Sequence, residues 1–169
     1  MERPVSVTRA TQVLTALVAL SGVTALLTVL LNDQVIRAWA RGHSVGTRSE
    51  LRSGGLDAVK HGAIQVPNFA APAISLFVVF AALAWVLVIF IRAGHEWARL
   101  TLAALIVLMA IATGSGMRTS PPTVFLVLSW ISIVLEALLL VFLAHRDTTA
   151  YIRGTWQVPQ APRDVAQDA

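Results

Sequence analysis

The stretch TVFLVLSWISIVLEALLLVFLA, residues 123–144, carries one charge, Glu136. A bilayer core about 30 Å thick is crossed by about 20 apolar residues in a helix, so this run is long enough to span. Three other runs share its character. Residues 11–31 and 71–91 hold no charge, and residues 98–117 hold only Arg99, near the start. Backbone amides in hydrocarbon must be paired within their own segment, which predicts a helix for each run. The strict apolar–polar alternation of a membrane β-barrel is missing. The expected fold is an all-α integral membrane protein: a four-transmembrane-helix bundle with a long loop between spans one and two.

Composition supports this. Apolar residues make up 56% of the 169-residue chain and charged residues 13%, against roughly 25% charged in a soluble domain. Mean hydropathy is +0.72, too apolar for a surface that faces water all round. There are no cysteines, which excludes a disulfide framework, a thiol nucleophile and Cys-ligated zinc or iron–sulfur centres. The net charge of +4 is modest, and the basic residues sit at the ends of the apolar runs. They read as topology signals, not as a nucleic-acid footprint.

Punctuation separates the runs. Asn32 and Asp33 end the first, and Pro67 and Pro72 bracket the start of the second. Arg92, Gly94, His95 and Glu96 make a tight turn over 92–97. Ser120, Pro121 and Pro122 make another over 118–122, where proline stops one helix and suits the first turn of the next. Arg3 and Arg9 before the first run, with Ala38-Trp39-Ala40 after it, resemble a secretory signal. The apolar run of about 20 residues exceeds the roughly 7–15 of a signal core, so the segment is expected to stay as an anchor.

Four spans place both termini on one side. That side holds Arg3, Arg9, Arg92, Arg99, Arg146, Arg153 and Arg163; the other holds Arg37, Arg41, Arg48, Arg52, Lys60 and Arg118. Basic residues close to span ends weigh most in the positive-inside rule. Arg3, Arg9, Arg92, Arg99, Arg146 and Arg153 are close on the first side, against Arg37, Arg41 and Arg118 on the second. Residues 1–10 and 145–169 are therefore expected in the cytoplasm, in the cytoplasmic membrane, with segment 32–70 outside. Val35, Ile36, Trp39 and Ala40 recur at helical spacing, which suggests a short interfacial helix or an extension of the first span. Residues 49–62 could hold another short helix, broken at Gly54 and Gly55. The tail beyond Thr148 is rich in Pro and Gln and is expected to be mostly disordered.

Glu136 is the residue most able to carry chemistry. It lies eight residues inside span four, or roughly 12 Å at 1.5 Å per residue. A carboxylate there costs about 3 kcal/mol on insertion scales and needs a partner or a proton. Ser129, Ser132 and Glu136 share one helical face, at i, i+3 and i+7, and that face should point inward. Candidate partners are Thr101 and Thr113 on span three and Ser21, Thr24 and Thr28 on span one. Two readings compete: a proton or cation site, or a buried acid that locks helix packing.

Other chemistry finds little support. His43 and His61 fall in the outer segment and His95 and His145 at span ends, so no haem-ligating pair forms at span centre and no spacing matches a metal motif. No cofactor is expected. Trp97 and Arg99 sit where headgroup anchors belong, as do Tyr151 and Arg153 beyond span four. Trp85 and Trp130 fit packing or lipid-facing roles. Small residues at four-residue spacing, such as Thr24/Thr28 and Ala110/Gly114, permit close helix approach. Nucleotide-binding, metalloprotease and serine-hydrolase motifs are missing, so no enzyme is expected.

Three short stretches look familiar together: Arg3-Pro4-Val5-Ser6-Val7 before an Ala/Leu-rich span, Gly94-His95-Glu96-Trp97-Ala98-Arg99 before span three, and His145-Arg146-Asp147-Thr148-Thr149-Ala150-Tyr151-Ile152-Arg153 after span four. This layout resembles a loose group of small four-helix membrane proteins common in actinobacteria. The resemblance implies fold, topology and a cytoplasmic-membrane address. It implies no site residues, and Glu136 lies outside it.

The expected partners are the lipid bilayer, other membrane proteins or a second copy of the chain, and no nucleic acid. The leading expectation is a non-enzymatic accessory or structural subunit of a cell-envelope complex. The alternatives are a small proton-coupled transporter or oligomeric pore built on Glu136, and a membrane sensor whose outer segment binds a ligand.

Overall fold

The computed structural model describes residues 5–62, 64–146, 148 and 150. Among them there are six helices and no strands: α1 (Val5–Leu30), α2 (Asn32–Gly42), α3 (Val45–Lys60), α4 (Ala70–Arg92), α5 (Glu96–Met117) and α6 (Thr123–Ala144). Four of these, α1, α4, α5 and α6, are long and apolar enough to cross a membrane. Helix α1 begins six residues before the uncharged run, so Arg9 lies on its second turn, exposed.

Each long helix touches two others. Helix α1 packs against α4 and α6, and α5 packs against the same two. The buried apolar core occupies one half of this arrangement. It is built by Leu14 and Leu17 of α1, Ala84 and Leu87 of α4, Leu102 and Ile106 of α5, and Leu139 and Leu143 of α6. These residues belong to the half nearest the N-terminus of α1 and the C-terminus of α6. Lipid tails are as apolar as leucine, so close side-chain packing holds this half together.

The same end carries two local devices. The α4–α5 turn is closed by a Schellman motif. The Gly94 N–H donates to Ile91 and the His95 N–H to the Phe90 carbonyl, each at 3.0 Å. Gly94 takes φ +84, a left-handed conformation that only glycine adopts without strain. Thr148 is fully buried. Its hydroxyl donates to the Phe142 carbonyl at 2.9 Å and lies 2.9 Å from Ser6 Oγ, whose own proton can complete the pair. This contact ties the chain just past α6 to the first turn of α1.

Segment 32–70 contains α2 and α3, which pack on each other. Ile36 and Ala40 of α2 meet Val59 of α3, with Trp39, Leu51, Val66 and Phe69 around them. Lys60 Nζ donates to Asp33 Oδ1 at 2.8 Å across the pair. The Ser44 side chain caps α3 by accepting from the Thr47 N–H. Gly55, at φ 70 and ψ −156, breaks the helical backbone inside α3. Asn68 Oδ1 accepts from the Ala70 and Ala71 N–H groups and starts α4, satisfying donors that a helix leaves orphaned.

Candidate functional site

The other half of the four long helices is open. A cavity of about 250 Å³ lies between Leu20 to Thr28 of α1, Ala73 to Phe80 of α4, Met109 and Thr113 of α5, and Leu128 to Ser132 of α6. Phe77, Phe80 and Met109 give it apolar walls. Ser21, Thr24, Thr28, Thr113, Ser129 and Ser132 give it hydroxyls. Phe77 can pack closely because residue 22 is glycine: a Cβ there would stand 3.1 Å from its ring.

Glu136 lies one helical turn beyond Ser132, between the cavity and the packed core. Its side chain is 1% exposed. Ser132 Oγ donates to Glu136 Oε1 at 3.0 Å. The second oxygen, Oε2, is buried and has no hydrogen-bond partner among the described residues. A buried polar atom left unmatched costs about 1–3 kcal/mol, and such atoms are rare enough to ask what fills the gap.

The cavity hydroxyls are polarised in a consistent way. Ser21 donates to the Val18 carbonyl at 2.8 Å, Thr24 to Leu20 at 2.9 Å and Thr28 to Thr24 at 2.8 Å. A carbonyl can only accept, so each hydroxyl proton is used within α1 and the oxygen lone pairs remain. Ser132 likewise spends its proton on Glu136. The cavity therefore presents mostly acceptor oxygens, none of its lining residues is charged, and Glu136 is joined to it through Ser132.

Most of the expected partners line the cavity, but none of Ser21, Thr24, Thr28 and Thr113 is hydrogen-bonded to Glu136. Ser21, Thr24, Thr28, Thr113, Ser129 and Ser132 all line the cavity. Ser129 makes no bond to Glu136; Ser132 does. Thr101 does not join them: it lies on an exposed face of α5. A Cβ on Gly114 would meet open space, so no close helix approach occurs at that glycine. Trp97 is half exposed and packs on Phe90 with ring centroids 4.9 Å apart. Arg99 pairs with Glu96 at 3.6 Å. Tyr151, Arg153 and the tail 151–169 lie outside the described residues, as does Arg3. His43 stacks on Trp39 at 4.5 Å, and His61 Nδ1 lies 3.0 Å from the Asp57 carbonyl. Among the described residues no group of three or more His, Cys, Asp or Glu could hold a metal ion.

Two features escaped sequence reasoning. The pairing of Ser6 with Thr148 joins residues far apart in the chain, with no local signal. The division of the long helices into a packed and an open half depends on how four faces meet. Gly22, alone in an Ala/Leu-rich run, was its one visible trace. No protein-family model, curated protein or solved structure matches this chain.

Proposed function

We propose that this chain is a small carrier of protons or small cations in the cytoplasmic membrane, with Glu136 as its binding group. In this reading α1, α4, α5 and α6 form a four-span bundle with both termini in the cytoplasm, and α2 and α3 cap its outer end. The observation that carries the reading is Glu136 itself: a buried carboxyl with one oxygen unmatched among the described residues, bonded through the other to Ser132 on the wall of a hydroxyl-lined cavity. A carboxyl at this depth is costly and marks ion or proton pathways when it faces a cavity. The packed half stands across any passage through one copy, which favours a carrier over a pore. The proposal includes no enzymatic step. The likeness to small actinobacterial membrane proteins adds the cytoplasmic-membrane address and rests on the three quoted stretches alone.

The test is flux into liposomes carrying the purified protein, with a pH-sensitive dye inside and an imposed membrane potential. Wild-type protein should move protons or cations, and Glu136→Gln should abolish the flux while melting at the wild-type temperature. A folded Gln variant with full flux would remove the reason for the proposal.

A second reading, membership in a larger envelope complex, is favoured by Trp85 and Trp130. They are 73% and 63% exposed within their spans, where an indole N–H finds no partner in lipid. A neighbouring helix supplying an acceptor would cover them. Co-purification in mild detergent tests this, and a chain that migrates alone under several conditions would count against it.

A further inference from the structure

A groove of about 230 Å³ runs along the outer surface of the packed half, between α1 and α4. Leu14 and Val18 of α1 and Ala81, Ala84, Trp85 and Val88 of α4 form its walls. The two hydroxyls that line it have no proton to give: Thr11 donates to the Val7 carbonyl at 3.0 Å and Thr15 to the Thr11 carbonyl at 2.9 Å. The groove is thus a surface for apolar matter. At its end lies a second hollow of about 130 Å³, lined by Val7, Thr8 and Gln12. Thr11 and Arg92 line both, so the two adjoin. We infer that together they bind one anionic phospholipid, with an acyl chain in the groove and the headgroup phosphate against Arg92, Gln12 and Thr8. The inference needs only that the long helices cross a membrane, and it does not involve Glu136.

Length and charge select the occupant. The groove extends over eleven residues of α4, from Ala81 to Arg92. At 1.5 Å per residue that is about 16 Å, half of a hydrocarbon core about 30 Å thick. It therefore covers the depth of one leaflet, and its polar end coincides with the end of α4, where headgroups lie. Ala81 and Ala84 leave a depression beside the exposed Trp85. At the polar end every group suits a phosphate, whose oxygens only accept. The Gln12 amide and the Thr8 hydroxyl supply donors, and both side chains are exposed, one helical turn apart on one face. The Arg92 guanidinium has five N–H donors, more than one neighbour within the chain uses, in a fork that matches phosphate. No residue lining either hollow is acidic. Basic pockets between spans hold anionic headgroups in this way. In the orientation proposed above, the site faces the cytoplasmic leaflet.

The experiment is native mass spectrometry of the full chain in mild detergent, titrated with phosphatidylglycerol or phosphatidylcholine of identical acyl chains. One phosphatidylglycerol should be held several-fold more tightly than phosphatidylcholine. Arg92→Gln should weaken phosphatidylglycerol about fivefold, the effect of one basic residue at an anionic surface, and leave phosphatidylcholine unchanged. Arg9→Gln, at an exposed residue that lines neither hollow, should change neither. Ala81→Leu fills the groove and should weaken both lipids alike. Gln12→Leu should weaken phosphatidylglycerol several-fold, and it replaces Arg92→Gln as the test if that variant does not melt at the wild-type temperature. Glycerol phosphate, the headgroup without its chains, should not displace the lipid. The inference is overturned if the two lipids bind equally, if Arg9→Gln weakens binding as much as Arg92→Gln, or if Ala81→Leu leaves binding intact. Displacement by glycerol phosphate overturns it too, as does a preference that survives Arg92→Gln or, where that variant does not fold, Gln12→Leu. The flux test of Glu136 stands apart: neither result alters the other.

Discussion

The two halves of the long helices are built from the same kind of sequence and behave differently. In the packed half, Leu17, Leu87, Leu102, Ile106 and Leu139 are almost fully buried against one another. In the open half, the same helices surround a cavity, with Leu20, Leu76 and Phe77 on its wall. Hydropathy hardly separates the two. The placement of hydroxyls does: Ser21, Thr24, Thr28, Thr113, Ser129 and Ser132 line the cavity of the open half, whereas Thr8, Thr15 and Thr101 of the packed half are exposed. In lipid, apolar surface gains little by leaving one greasy environment for another. A helix pair closes where side chains interlock, and small polar side chains leave a gap. Glu136 stands where the two regimes meet.

Breaking the packed half should produce the largest effect. Leu102→Ala or Ile106→Ala should each cost about 2 kcal/mol, near the lower end for such truncations because the transfer term is small in lipid. Leu76→Ala, on the open side and 70% exposed, should change stability by less than about 0.5 kcal/mol. Unfolding in mixed detergent micelles measures both, and equal costs would erase the distinction between the halves.

The boundary can be sharpened next. Ser132→Ala removes the hydrogen bond to Glu136 Oε1 and leaves both oxygens unmatched among the described residues. The expected cost is about 1–2 kcal/mol. Restoring the hydroxyl with Ser132→Thr should recover most of it, which separates loss of the bond from a change in packing.

The two ends offer the smallest contrast. At the packed end, Gly94→Ala forces a Cβ into a left-handed residue and should cost about 1 kcal/mol. At the open end, Lys60→Met breaks an ion pair whose side chains are 37% and 62% exposed. Solvent screening should hold that cost below about 0.5 kcal/mol. A larger loss for Lys60→Met would mean that α2 and α3 contribute more to the stability of the four long helices than their packing indicates.

Legibility in the sequence followed range. The helix limits were readable because apolar runs, prolines and charges act on their own neighbourhood. Helix α6 coincides with the uncharged-but-one run 123–144. Helix α1 extends beyond its run because a helix can continue past the hydrocarbon into water. Glu136 was readable as buried because the cost of exposing it to lipid is large and local. Its partners were only partly readable. Thr101 and Thr113 lie twelve residues apart, which turns them about 120° from each other on one helix. Both could not face the same site, and nothing in the neighbourhood of either residue distinguishes them.

Taken alone, the order of residues determined that the chain has four stretches able to cross a membrane, that a carboxyl group sits deep in the last of them, and that Ser132 shares its face. Those properties depend on composition, length and helical pitch. The tertiary structure decided that Thr113 and not Thr101 meets the cavity, that six hydroxyls gather on its wall, and that one oxygen of Glu136 is left without a partner among the described residues. These depend on the rotation of each helix about its axis, which is set by contacts between side chains distant in the chain.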